Sequence, residues 1–150
     1  MNNNNSNNSS NSNDDEQYYI KKNVKQHEVD MHQHIYDLEL PNIHVPKIVN
    51  YNKTTKEMTL VKIDNMNISD WYGAAEKNIT PQLFDNIRQI IKTLYDNNII
   101  YPDITGYNFI EHDNKLWILD FEHSYFNNHK HTQFVKKFIK GMNKWNPNFK

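Results

Sequence analysis

The chain has 150 residues, a formal net charge of −1 and no cysteine. That length holds one domain at most. The near-neutral charge gives no electrostatic case for a nucleic-acid partner or an anionic membrane, and the missing thiols exclude disulfides and thiolate metal sites.

No apolar run reaches bilayer length and the N-terminus lacks the apolar core of a signal peptide, so the expectation is a soluble, intracellular, cytoplasmic protein. After the initiator Met, the first thirteen residues contain eight Asn and four Ser. A tract with nothing apolar to bury predicts a disordered, Asn-rich tail over residues 1–16, ahead of a folded domain over residues 17–150. Tyr18-Tyr19-Ile20-Lys21 is aromatic and β-branched and reads as a strand. Val24, Met31, Ile35 and Leu38 share one face of a helix predicted from about Val24 to Leu38. Glu28 lies on that same face, where a buried carboxylate requires a partner. Pro41 and Pro46 end this helix and break the linker after it. Lys47 to Tyr51 and Met58 to Ile63 read as an antiparallel hairpin around the polar turn Asn52–Glu57.

Residues 64–79 read as irregular, with a short helical turn at Ser69-Asp70-Trp71-Tyr72. Thr80 is a good N-cap and Pro81 a good first-turn residue for the next helix. Leu83, Phe84, Ile87, Ile90, Ile91, Leu94 and Tyr95 supply its apolar stripe. Ile99-Ile100 leads into a loop at 101–107, and Phe109-Ile110 and Leu116–Leu119 flank the turn 112–115. A last helix is predicted over Gln133 to Met142, with Phe134, Phe138 and Met142 on one stripe. The eight histidines show no pair at metal-binding helical spacing and read as surface residues; His32 and His34 face different directions, and His129 and His131 lie in a polar stretch. Trp71, Trp117, Trp145 and the nine tyrosines read as core packing, because no basic groove accompanies them.

The residues that carry chemistry are Tyr101-Pro102-Asp103-Ile104-Thr105-Gly106-Tyr107-Asn108 and Leu116-Trp117-Ile118-Leu119-Asp120-Phe121. Asp103 and Asn108 are five residues apart, as one tight loop requires, and Asn108 and Asp120 are twelve apart, bracketing a hairpin. An amide and a carboxylate are oxygen ligands that suit Mg²⁺, and a separate carboxylate can orient an attacking hydroxyl. Asp, Thr, Gly and Asn also favour turns without any catalytic role.

With Lys21 and Glu28, this order of elements resembles the protein-kinase-like superfamily over roughly residues 17–126. That resemblance implies an α+β fold: a truncated N-lobe of antiparallel strands and one helix, then a reduced helical C-lobe. It implies an ATP- and Mg²⁺-dependent phosphotransferase acting on a hydroxyl, labelled Ser/Thr protein kinase-like. In the family pattern H-R-D-L-x-x-x-N and D-F-G, Asp103 orients the acceptor hydroxyl, and Asn108 and Asp120 hold Mg²⁺ against the nucleotide. Lys21 pairs with Glu28 and faces the phosphates, with Lys22 as the adjacent alternative. Lys62, Ile63 and Asp64 belong to the hinge that contacts adenine through backbone groups around 62–65.

The chain departs from that pattern in several places. Tyr101 and Pro102 replace the loop His and Arg, Thr105 replaces the usual lysine, and no glycine-rich phosphate cover precedes Lys21. Glu122 replaces the glycine of D-F-G and no A-P-E segment follows. The 28 residues after Glu122 are too few for a full peptide-docking lobe. Asp120-Phe121-Glu122 also resembles the D-F-E segment of choline and aminoglycoside kinases. The expected partners are therefore a nucleotide and a protein or small-alcohol substrate, with a partner chain as one source of the missing lobe elements. A catalytically weak or inactive binding module (a pseudokinase) is the alternative function.

Overall fold

A computed structural model describes residues 16–127 and 130–149; the predicted tail falls almost wholly outside them, as does His129. β1 (Tyr18–Lys21) leads within four residues into α1 (Gln26–Leu38), followed by β2 (Ile48–Asn52) and β3 (Glu57–Val61). The sheet order is β1-β3-β2, both pairings antiparallel, with Lys21 opposite Met58 and a register shift between Ile48 and Asn50. The β2–β3 turn is closed by Asn52, whose side-chain oxygen accepts from the Thr54 and Thr55 N–H groups. Val24, Val29, Met58 and Leu60 form a small core between this sheet and α1.

The second part begins with α2 (Ile68–Tyr72) and α3 (Pro81–Asp96). α3 starts where its sequence dictates: Thr80 Oγ1 accepts from Leu83 N at 3.1 Å and Pro81 takes the first turn. Its stripe from Leu83 to Leu94 is buried and forms the centre of the larger core. β4 (Ile99–Ile100) pairs with β7 (Tyr125–Phe126), and β5 (Phe109–His112) pairs with β6 (Lys115–Ile118) as the predicted hairpin. α4 (Thr132–Ile139) packs on α3, where the Arg88 guanidinium lies over the Phe84 and Phe138 rings and Arg88 Nε donates to Phe138 O. These are the expected antiparallel strands with one helix, followed by a mainly helical part, in an α+β architecture. Among the described residues no helix is long and apolar enough to cross a membrane.

Several details differ from the sequence reading. α1 starts at Gln26, because Val24 is pinned outside it by Val24 N donating to Lys56 O at 2.9 Å and Tyr51 Oη donating to Val24 O at 2.5 Å. α4 stops at Ile139 and the chain turns at Gly141 with φ +78, so Met142 leaves the stripe and is 67% exposed. His32 is a core residue: its Nε2 donates to Pro46 O at 2.7 Å, its ring meets Phe121 edge-on, and burial lowers its pKa. Core packing accounts for Trp145, which lies against Phe84, but Trp71 is 61% exposed and Tyr18 and Tyr19 are about half exposed.

Candidate active site

Strand alternation turns Lys21, the last residue of β1, toward α1, and Glu28 sits in the first turn of that helix. Lys21 Nζ lies 2.5 Å from Glu28 Oε2 and 3.3 Å from Asp120 Oδ1. Glu28 is 3% exposed, so the partner that its position demanded is present. Burial alone would lower the Lys21 pKa, but Asp120 and Glu28 together outweigh it and hold the ammonium above its ordinary value. Burial pushes the Glu28 carboxyl up against the pull of Lys21. Lys22 is exposed.

The loop after β4 is buried almost throughout and folds on its own backbone. Asp103 O accepts from Thr105 N at 3.1 Å and from Asn108 Nδ2 at 2.8 Å. That bond turns one donor of the Asn108 amide nitrogen onto the loop, and Oδ1 is the side chain's acceptor oxygen. Tyr101, fully buried where the family pattern has His, donates from Oη to Leu119 O at 2.5 Å and so ties this loop to the segment carrying Asp120. Burial keeps its phenol neutral by raising its pKa well above the usual value. Asp103 is 9% exposed; burial, then the Asp120 charge, lifts its carboxyl to about 6. Asp120 itself has φ 64, a left-handed conformation that aspartate and asparagine adopt more readily than other non-glycine residues.

Two cavities meet here. The first, about 400 Å³, lies between the sheet and β5, with Met58, Leu60, Ile110 and Leu119 as apolar walls and Lys21 and Glu28 at one end. Lys62 and Ile63 border it; Asp64 is exposed and does not. Two of the backbone donors in this stretch are already used, Lys62 N by Gln17 O and Asn65 N by Ile63 O. The second cavity, about 510 Å³, has Asp103, Thr105, His123 and Phe149 around it. Tyr107, Asn108 and Asp120 border both cavities, whereas Asp103 borders only the second. Asp103, Asn108, Asp120, Lys21 and Glu28 are thus brought together in one cleft.

Sequence reasoning passed over three participants. Glu122 reads as a lost glycine, yet carboxylate oxygens of Glu28, Asp120 and Glu122 lie within 4.8 Å of one another. Three carboxylates facing one ammonium leave a surplus of negative charge that favours a cation. The signal was in the D-F-E segment itself, an acid two residues after the metal-type aspartate. His123 joins the second cavity and His27, whose Nε2 donates to Ser124 O at 2.7 Å, ties α1 to the same segment. No spacing rule links His27 to a residue 97 positions away.

A family model described as the RIO domain matches residues 1–145. No curated protein matches the chain. Among solved structures, the chain is similar to the kinase PK-1 of the Cydia pomonella granulovirus, with a TM-score of 0.54 at 14% identity over 73% of this chain. It spans 43% of that kinase's length, and a likeness at such low identity bears on the fold alone. The fold and the family match agree, and the chain belongs to the RIO domain family of the protein-kinase-like superfamily.

Proposed function

We propose that this kinase-like protein is an ATP- and Mg²⁺-dependent phosphotransferase that moves the γ-phosphoryl group to a hydroxyl. One observation carries the reading: the two oxygen-donor residues Asn108 and Asp120 stand between a nucleotide-sized cavity and a second cavity that holds Asp103. The donor chemistry fits Mg²⁺, since an amide oxygen and a carboxylate are available and the surrounding acids are in surplus over Lys21. Bound Mg²⁺ would supply charge neutralisation to the phosphates. Lys21, kept charged by Glu28 and Asp120, attracts the same phosphates, and the apolar walls receive the base. Asp103 aligns the acceptor hydroxyl and takes its proton as the oxygen bonds to the γ-phosphorus and ADP departs.

The acceptor class within this reading is a protein Ser/Thr hydroxyl or a small alcohol. Mg-ATP at a hundred times its Kd stabilises a chain by about 2.7 kcal/mol, which a thermal-shift titration reads directly. Labelled phosphate should then appear on the protein itself, on a generic protein or on choline. Absence of any shift refutes the reading. A shift without transfer favours a nucleotide-binding module, a reading supported by β1, which among the described residues is an edge strand with Tyr18, Tyr19 and Ile20 each about half exposed.

A further inference from the structure

Asp103 is flanked by two carbonyls that one distant residue holds. Asn146 Nδ2 donates to Pro102 O at 2.8 Å, and Asn146 N donates to Ile104 O at 2.8 Å. Its Oδ1 accepts from Asn148 N at 3.1 Å, and Phe149 N donates to Asn146 O at 3.1 Å. Asn146 is 1% exposed, in a stretch otherwise mostly open to solvent. The Phe149 ring that follows lies 5.0 Å from His123 and 5.3 Å from His131, and with Asn148 it borders the cavity containing Asp103. Together with the Asn108 bond to Asp103 O, three successive carbonyls, 102 to 104, are held by the two asparagines.

We propose that Asn146 is a positioning residue for Asp103, and that the segment it anchors, Asn146 to Phe149, forms the acceptor-side wall of the cleft. Pro102 has no N–H and a fixed φ, so the backbone before Asp103 is limited to its carbonyl as a point of attachment. With Nδ2 on that carbonyl and the Asn146 N–H on the carbonyl after Asp103, the residue between them cannot rotate about its backbone without breaking a bond. The loop lacks the His and Arg of the wider kinase pattern, and Asn146 supplies a restraint from outside it. This inference rests on the reading of Asp103 as the group that orients the acceptor.

The test uses the full chain with Asn146→Ala and Asn146→Leu, the second filling the same space without the side-chain donor. Amide exchange of Ile104 and Thr105, whose N–H groups close the loop, should accelerate about tenfold in both variants while α3 is unchanged. Turnover of Mg-ATP should fall about 10- to 100-fold in kcat, with the nucleotide KM and the Mg-ATP thermal shift unchanged, because displacement of the acceptor-orienting group affects the reacting geometry alone. Loop amides that exchange no faster in either variant overturn the proposal, as does a kcat that stays level while the nucleotide KM rises. A wild-type chain with no turnover, whose loop amides still quicken on substitution, would refute the phosphotransfer reading and leave Asn146 as the anchor of this loop.

Discussion

Removing the Lys21 ammonium leaves Glu28 buried beside Asp120 and Glu122 with nothing to offset its charge. Lys21→Met should therefore destabilise the fold by about 3–5 kcal/mol, read from urea unfolding. Adding Glu28→Leu should return most of that stability, since the uncompensated acid is gone, while Mg-ATP binding stays lost in both variants. Recovery of binding in the double variant would show that the pair serves only folding. Asp103 makes a separate prediction. Its carboxyl is held up to about 6 and must be ionised to accept a proton, so kcat should rise with pH through about 6. The same upward shift means that the folded chain favours the protonated acid, and this contribution to stability fades as pH rises from 3.8 through about 6. Asp103→Ala should lower transfer by about 10²- to 10⁴-fold and leave the Mg-ATP thermal shift intact. The convergence of Asp103, Asn108 and Asp120 was legible from residue types and spacings tied to short local elements, and the Lys21–Glu28 pairing from the family resemblance. Glu122 was not, because a departure from a pattern is easily read as a loss of function and not as an added charge.

Between elements, α2 approaches the turn 106–108 so closely that position 106 has no room for a side chain. A Cβ on Gly106 would meet Ser69 Oγ at 2.2 Å and Ser69 N at 3.1 Å. Gly106→Ala should cost about 1–3 kcal/mol, and Ser69→Ala in the same chain should recover part of it by removing the nearer atom. Equal melting temperatures for the single and double variants would mean that the Ser69 backbone sets the limit. α1 is docked by its histidines: His27 stacks on Tyr125, His32 meets Phe121 and His34 meets Phe126. Because the folded His32 pKa lies below 6.5, its neutral ring is undisturbed above that pH, and stability is lost as pH falls beneath it. Unfolding free energies at pH 7 and pH 5 should differ less in His32→Phe than in the parent. α3 was legible to its first residue because its cap, its proline and its stripe agree. The start of α1 was not, since the periodicity that includes Val24 is indifferent to the backbone bonds that hold Val24 outside the helix. α4 shows the same limit at its other end, where Gly141 interrupts a stripe that continues in sequence.

At the scale of the molecule, the two cores differ greatly in size: among the described residues, four buried residues lie under the sheet against twenty-one around α3. Amides of β1–β3 should exchange faster than those of α3, and Mg-ATP should slow the sheet more than the helix because the cleft lies against the sheet. Uniform protection with nucleotide would place the binding site elsewhere. The kinase-like order of elements was legible from the hairpins, helices and motif spacing. The loop's attachment to Asn146 was not, since it joins residues 44 positions apart through a side chain with no periodic pattern around it.

The connection between β1 and α1 is only Lys22 to Lys25, bent at Asn23 with φ 59 and moored at Val24 to both Lys56 and Tyr51. A tether this short gives the helix no slack. Swinging α1 outward to part Lys21 from Glu28 would first require Val24 to be drawn from beneath the sheet, so the ion pair behaves as a permanent latch and not as a switch. Its cross-linking or distance-probe signature should accordingly be identical with and without nucleotide.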